Sequence, residues 1–276
     1  IMSSDWSSDV CSSDLCCTAG GAWRRCWPDW WARRAVAEPI LACEDLHKRF
    51  GALAVTDGVG FIVEADECHA LIGPNGAGKT TLVNQLSGFV KPDAGRIRLA
   101  GADVTRLPPH ARARRGLART FQITSIVPGF TALENVALAA QARAGTSFRF
   151  WRRAAGEARL NERARAALGE VGLATRAAVP AATLAHGERR ALELACALAL
   201  EPAVLVLDEP MAGVGSEEGA RLVELLQRIK TNLPILLIEH DMEAVFRLAD
   251  RVSVMVYGRV IASGTPAEVR ADPAVR

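Results

Sequence analysis

Leu71-Ile72-Gly73-Pro74-Asn75-Gly76-Ala77-Gly78-Lys79-Thr80-Thr81 is the stretch from which the rest of the chain can be read. It matches G-x-x-x-x-G-K-[ST], with the apolar run Cys68–Ile72 before it and Leu82, Leu86 and Phe89 at helical spacing after it. A strand must end and a helix begin inside a glycine-rich loop. Glycines let successive backbone N–H groups turn toward a phosphate with no Cβ in the way. The helix expected from Lys79 to about Phe89 aims the positive end of its dipole at the same anion. Lys79 can reach the β- and γ-phosphates of a nucleotide, and the Thr80 hydroxyl can ligate Mg²⁺. Only four of the 33 basic residues are Lys (Lys48, Lys79, Lys91 and Lys230), so a Lys inside this loop is informative.

Further along, Val204-Leu205-Val206-Leu207-Asp208-Glu209-Pro210 is an apolar run ending in two carboxylates. Carboxyl ends of parallel strands form the ligand edge of an open α/β sheet. Asp208 is then placed to hold Mg²⁺, directly or through water, and Glu209 to polarise an attacking water. Phosphoryl transfer needs mainly positioning and charge neutralisation, which this set supplies in outline.

The surrounding pattern is mixed α/β. Ile40–Leu46, Gly58–Val63 and Gly95–Ala100 read as strands of an antiparallel sheet, the last lying between turn residues at Pro92–Gly95 and Gly101. Val204–Leu207 and Ile235–Ile238 are continuous apolar runs, as expected of strands buried on both faces of a parallel sheet. Between them Leu222, Leu225, Leu226 and Ile229 have the spacing of an amphipathic helix, with Ser216 as its expected N-cap and Glu217 and Glu218 in its first turn. Together these form a βαβ crossover. Residues from about 130 to 183 are rich in Ala and Arg and read as a helical insertion. A hairpin, Val252–Val256 and Val260–Ala262, and a short helix capped by Thr265 with Pro266 at its first position complete the pattern.

Ile1–Pro39 stand apart. Five of the six Trp and four of the seven Cys lie before residue 32, and Ser-Ser-Asp occurs three times, at residues 3–5, 7–9 and 12–14. No periodicity, secretory signal or paired C-x-x-C pattern accompanies them. We expect residues 1–39 to lie outside the fold, as stray translated sequence, and residues 40–276 to form the domain. Cys43, Cys68 and Cys196 are scattered, as suits buried thiols in a reducing compartment.

Half of the 276 residues are apolar and 23% charged, which excludes a wholly disordered chain. No run of 18 apolar residues exists to span a membrane. A net charge of +2 gives no general case for nucleic-acid binding. Two Arg-dense stretches, Arg106 to Arg119 and Arg143 to Arg165, lack the aromatic interleaving that nucleic-acid contact requires, despite Phe148, Phe150 and Trp151. They read as a solvated face near anionic lipid.

With these motifs in order, Ile40–Arg276 resembles the ATP-binding subunit of ABC transporters. The resemblance implies a P-loop NTPase fold: a RecA-like parallel sheet core, an antiparallel β subdomain and an α-helical subdomain at about 124–188. It implies that Phe50 stacks on adenine. It implies that Gln122, in Thr120-Phe121-Gln122, senses Mg²⁺ and the γ-phosphate and faces the membrane subunit. Leu184-Ala185-His186-Gly187-Glu188 resembles the signature that caps the γ-phosphate of the opposite subunit, and His240 the switch histidine. In the family's fold the signature lies far from Lys79 of its own chain, so two cassettes would face head to tail around two nucleotides. Gly187 suits close backbone approach, and a helix beginning near Glu188 would point its N-terminus at phosphate.

Departures from the family pattern are specific. Ala185 stands where Ser is usual, Arg189 where Gln is usual and Gly215 where Asp is usual; Glu64-Ala65-Asp66-Glu67 lacks the usual Pro-Gly turn, a change expected to be superficial. The His-Gly-Glu signature, the Gly213-Val214-Gly215 loop, the stretch Ala137–Arg165 and the ending Tyr257–Val269 resemble the subgroup serving branched-chain and hydrophobic amino acid uptake, which normally runs a little beyond Arg276. The implied partners are a second cassette, identical or paralogous, two integral membrane permease subunits and, indirectly, an extracytoplasmic solute-binding protein, with no nucleic acid. The implied place is the cytoplasmic face of a bacterial inner membrane, with docking through Ile123–Phe130 and the helical insertion. Alternatives are another ABC system, such as lipopolysaccharide export or urea uptake, a soluble ABC ATPase acting on ribosomes or DNA, and a P-loop kinase. One cassette without sustained heptads argues against the soluble ATPase; the Gly-Glu signature and switch histidine argue against the kinase.

Overall fold

A computed structural model describes residues 38–120, 126–144 and 158–275. The described residues build two sheets. The first is antiparallel, in the order β2-β1-β4-β5, from β1 (Leu41–Phe50), β2 (Leu53–Val63), β4 (Ala94–Leu99) and β5 (Ala102–Asp103). The second is six-stranded, in the order β10-β9-β3-β8-β7-β6. Its strands are β3 (Cys68–Ile72), β6 (Leu117–Arg119), β7 (Val204–Asp208), β8 (Ile235–Ile238), β9 (Arg251–Val256) and β10 (Arg259–Gly264). Only β10 runs antiparallel to its neighbour.

The apolar runs explain the core. Val204 and Val206 of β7 face a cluster shared with Leu71 of β3 and Leu82 and Leu86 of α1 (Lys79–Ser87), which also takes Leu41, Leu46 and Ile97 of the antiparallel sheet. Leu205 and Leu207, on the opposite face, join a second cluster with Ala70 and Ile72. Burial on both faces is what the unbroken apolar sequence of β7 predicts. The second cluster extends into α3 (Ala132–Ala144), α4 (Ala158–Glu170) and α5 (His186–Ala199) through Val136, Ala140, Ala164, Leu168 and Leu192. The expected helical insertion is thus present, although residues 145–157 lie outside the described set.

Several expectations are corrected. Strands β1 and β2 continue to Phe50 and from Leu53, so the aromatic ends β1 and pairs with Leu53 beside the turn. Helix α6 (Ser216–Lys230) starts at Ser216 itself, with Gly215 as N-cap and no side-chain capping bond. α5 starts at His186, two residues before the expected point, with Ala185 as N-cap. Glu67 is 8% exposed and far from a superficial turn. Its Oε1 accepts the Glu64 N–H at 2.9 Å and Oε2 accepts from Arg251 Nε at 3.2 Å, with His69 Nδ1 3.4 Å from Oε1. Burial raises its pKa, but His69, the Glu64 N–H and Arg251 outweigh burial and hold it down to about 2.

The Arg-dense stretch is not uniformly solvated either. Arg112, in α2 (Pro109–Arg114), is 1% exposed. Its Nη1 donates to the Gln85 and Leu86 carbonyls, both at 2.6 Å, Nη2 to Thr105 at 2.9 Å and Nε to Leu107 at 3.0 Å. A cation at the carboxyl end of α1 complements the dipole whose positive end faces the phosphate loop. Burial lowers the Arg112 pKa to about 10, leaving it charged near neutral pH. α7 (Met242–Leu248) and α8 (Pro266–Ala271) complete the fold, α8 with the expected Thr265 cap on the Glu268 N–H and Pro266 in the first turn.

Candidate nucleotide site

The loop between β3 and α1 is held open by its glycines. Gly73 has φ +152° and Gly78 φ +102°, and a Cβ at either would collide with a backbone oxygen, that of Met255 or of Val55. Ala77 donates its N–H to Pro74 at 3.2 Å and accepts from the Gly258 N–H at 2.9 Å, so the β9–β10 turn braces the loop from behind. Pro74, Asn75, Gly76 and Thr80 are exposed, Thr81 is half-buried and Ala77 is buried. The first turn of α1 carries no acidic residue and no side-chain cap on its N–H groups. Such a cradle of backbone donors fits a phosphate group.

Lys79 lies across the loop, its Nζ 2.6 Å from the Gly73 carbonyl oxygen and 3.0 Å from that of Pro74. Burial lowers its pKa, opposed by Glu209 and Asp208. The two carboxylates at the end of β7 thus lie near enough for their charges to act on Lys79. Asp208 closes β7, and its Oδ2 accepts from Arg119 Nη2 at 2.8 Å. Glu209 takes φ +50°, a conformation that is costly for a non-glycine residue and concentrated at functional sites. Its N–H donates to the Ile238 carbonyl at 2.9 Å, tying the turn to β8.

His240 stands just past β8. Its Nδ1 lies 4.0 Å from Glu209 Oε1, and its side chain is 59% exposed. Glu239, which the sequence did not single out, has no exposed surface. Its Oε1 accepts the Met211 N–H at 2.7 Å, and Oε2 accepts from His240 N at 3.0 Å and Asp241 N at 3.3 Å. It joins the loop after Glu209 to the histidine. Only its adjacency to His240 could have pointed to it.

The signature residues gather at the start of α5. Glu188 Oε2 accepts the Ala185 N–H at 2.9 Å, and Arg176 Nε donates to Oε1 at 2.9 Å. The Ala185 N–H and Arg176 hold the Glu188 carboxyl below the usual carboxylate range. Gly187 faces Glu218, whose carboxylate would lie 3.1 Å from a Cβ placed there. His186 opens the helix and is exposed. Arg190 donates to the carbonyls of Pro210 and Ala212, linking the signature helix to the loop after Glu209. Phe50, at the tip of the antiparallel sheet, is 52% exposed with Lys48 Nζ 5.5 Å from its ring centroid. Gln122 lies outside the described residues.

The site residues fit Mg²⁺ and a triphosphate by donor chemistry. Thr80 and Asp208 carry the hard oxygen donors that Mg²⁺ would take, while Lys79 and the loop amides carry the cationic and N–H donors that phosphates would take. Among the described residues there is no separate group of three or more His, Cys, Asp or Glu able to hold a metal ion, and no helix long and apolar enough to cross a membrane.

The ABC transporter family profile matches residues 56–212, and a second, for branched-chain amino acid ATP-binding cassette transporters, matches residues 259–276. The high-affinity branched-chain amino acid transport ATP-binding protein BraF of Pseudomonas aeruginosa is 40% identical over 249 residues, covering 87% of this chain and 97% of that protein. LivG of Escherichia coli, described in the same words, is 38% identical with the same coverage. A nucleotide-free ATP-binding cassette from an ABC transporter superposes with TM-score 0.77 at 30% identity, over 86% of this chain and 97% of that one. From the phosphate loop to the closing hairpin, the chain belongs to the ABC transporter family and is one of its ATP-binding cassette ATPases.

Proposed function

We propose that this cassette binds Mg²⁺-ATP between the loop Gly73–Thr80 and the carboxylates Asp208 and Glu209, and that its hydrolysis energises uptake of branched-chain or other hydrophobic amino acids. The likeness to BraF and LivG over nearly their whole length carries the choice of solute class. The match of β10 and α8 to the branched-chain profile supports it.

Within the site, the loop N–H groups and Lys79 bind the phosphates, and Phe50 offers an exposed aromatic face to the base. Thr80, Asp208 and Gln122 would hold Mg²⁺, which neutralises phosphate charge when bound. Glu209 Oε1 takes the proton of the attacking water, and His240, just past β8 with its Nδ1 4.0 Å from that oxygen, contacts the γ-phosphate. The signature residues Ala185, His186, Gly187 and Glu188 close the site of a second cassette. ATP then holds two cassettes together and hydrolysis loosens them, a population shift transmitted to two permease subunits at the cytoplasmic face of the membrane. Solute would arrive through an extracytoplasmic binding protein. Residues 1–39 take no part in this reading, and the domain is residues 40–276.

Uptake of labelled leucine, isoleucine and valine by cells lacking this chain tests the proposal. The wild-type chain should restore uptake and Glu209→Gln should not. Unchanged uptake of all three in the deletion strain would contradict the solute assignment.

A further inference from the structure

Arg119 joins three elements at the inner edge of the nucleotide site. It is the last residue of β6, the short strand that leads into the segment bearing Gln122. Its Nη2 donates to Asp208 Oδ2 at 2.8 Å, and its Nη1 to Asn84 Oδ1 of α1 at 2.7 Å, with Ser87 Oγ at 3.5 Å. Its guanidinium carbon is 6.0 Å from the Phe89 ring centroid, just past α1. The arginine side chain is 8% exposed and the aspartate 5%. One planar fork thus spans β6, β7 and the helix that starts at the phosphate loop.

A buried ion pair is a poor source of stability, because desolvating both charges cancels most of their attraction. An apolar pair of the same size would join these elements at least as well. What the arginine does, and an apolar residue could not, is hold a buried carboxylate in one orientation through directed hydrogen bonds. That carboxylate is the one placed to receive Mg²⁺. We infer that Arg119 is a positioning residue for magnesium: by fixing Asp208 against α1, it sets how much Mg²⁺ strengthens nucleotide binding. This rests on the nucleotide-site reading above. A lysine could reach Asp208 or Asn84 but has no fork to engage both.

The test is the ratio of the ATP dissociation constants in EDTA and in excess Mg²⁺, measured by equilibrium dialysis on the full chain. Wild type, Arg119→Met, Arg119→Lys and Lys79→Ala are compared. Groups that orient metal ligands typically contribute ~10–100-fold to metal affinity, so the ratio should fall by at least about tenfold in Arg119→Met. Arg119→Lys should lie between Met and wild type. A general loss of structure would weaken binding in EDTA and Mg²⁺ alike and leave the ratio unmoved. A wild-type ratio in Arg119→Met overturns the inference. If that variant does not fold, Arg119→Lys decides: a lowered ratio supports the role, and a wild-type ratio overturns it. Failure of the underlying reading has a different signature, namely wild-type ATP affinity in Lys79→Ala.

Discussion

Replacing Ala185 by Ser supplies an acceptor that helix α5 lacks. Ala185 is its N-cap, with φ −63° and ψ 163°, the extended geometry from which a serine hydroxyl reaches the N–H of the third helical residue. That residue is Glu188, and its carboxylate already accepts the Ala185 N–H at 2.9 Å. Half of a capping box is therefore in place, and the methyl of Ala185 cannot provide the other half. Restoring a serine cap at such a site stabilises by ~1 kcal/mol. With a urea m-value of ~2 kcal/mol/M, the midpoint should rise by about 0.5 M with unchanged slope. ATP hydrolysis should stay level or rise, since the hydroxyl also adds a donor at the surface that, in the proposed function, faces a second cassette. A midpoint equal to or below wild type, or a clear loss of hydrolysis, would show that this loop is built around alanine and refute the reasoning.

Other outcomes follow from the same geometry. Glu209→Gln should bind ATP yet lose ~10²–10⁴ in the rate of phosphate release, the contribution of a general base, and a wild-type rate would remove Glu209 from that role. Gly78→Ala places a Cβ against the Val55 carbonyl at φ +102°, a strain of about 1–3 kcal/mol before the collision is counted; ATP affinity should drop at least about tenfold, and an unchanged dissociation constant would show that the loop yields freely. Glu67 has its folded pKa depressed from 4.5 to about 2, so its contribution is complete above 4.5 and is lost as pH falls toward 2. The wild-type urea midpoint should fall through that window more steeply than that of Glu67→Gln, and parallel pH profiles would contradict the assignment.

What could be read in advance was whatever local spacing determines. The loop Gly73–Thr80, the doubly buried runs of β7 and β8, the amphipathic α6 and the Thr265-Pro266 helix start all depend on neighbours within a few residues. What escaped depends on partners distant in sequence. Arg112 and Arg119 look like any other arginine of their stretch, yet one caps α1 and the other grips Asp208. β6 is three residues long, too short for a periodicity, and becomes a strand only by pairing with β7. Glu67 lies in a polar run typical of surface turns, and its burial depends on Arg251 at the far end of the chain. Ser216 has the chemistry of a cap, but the extended residue before the helix is Gly215.

The central claim is that backbone amides of Gly73–Thr80 and Lys79 hold the phosphates of a magnesium nucleotide beside Asp208 and Glu209. Equilibrium dialysis of labelled ATP against the purified chain and its Lys79→Ala variant tests this most directly. Saturable, magnesium-enhanced binding to the wild-type chain and its loss in the variant are expected. Equal binding by both, or none by the folded wild-type chain, would contradict it.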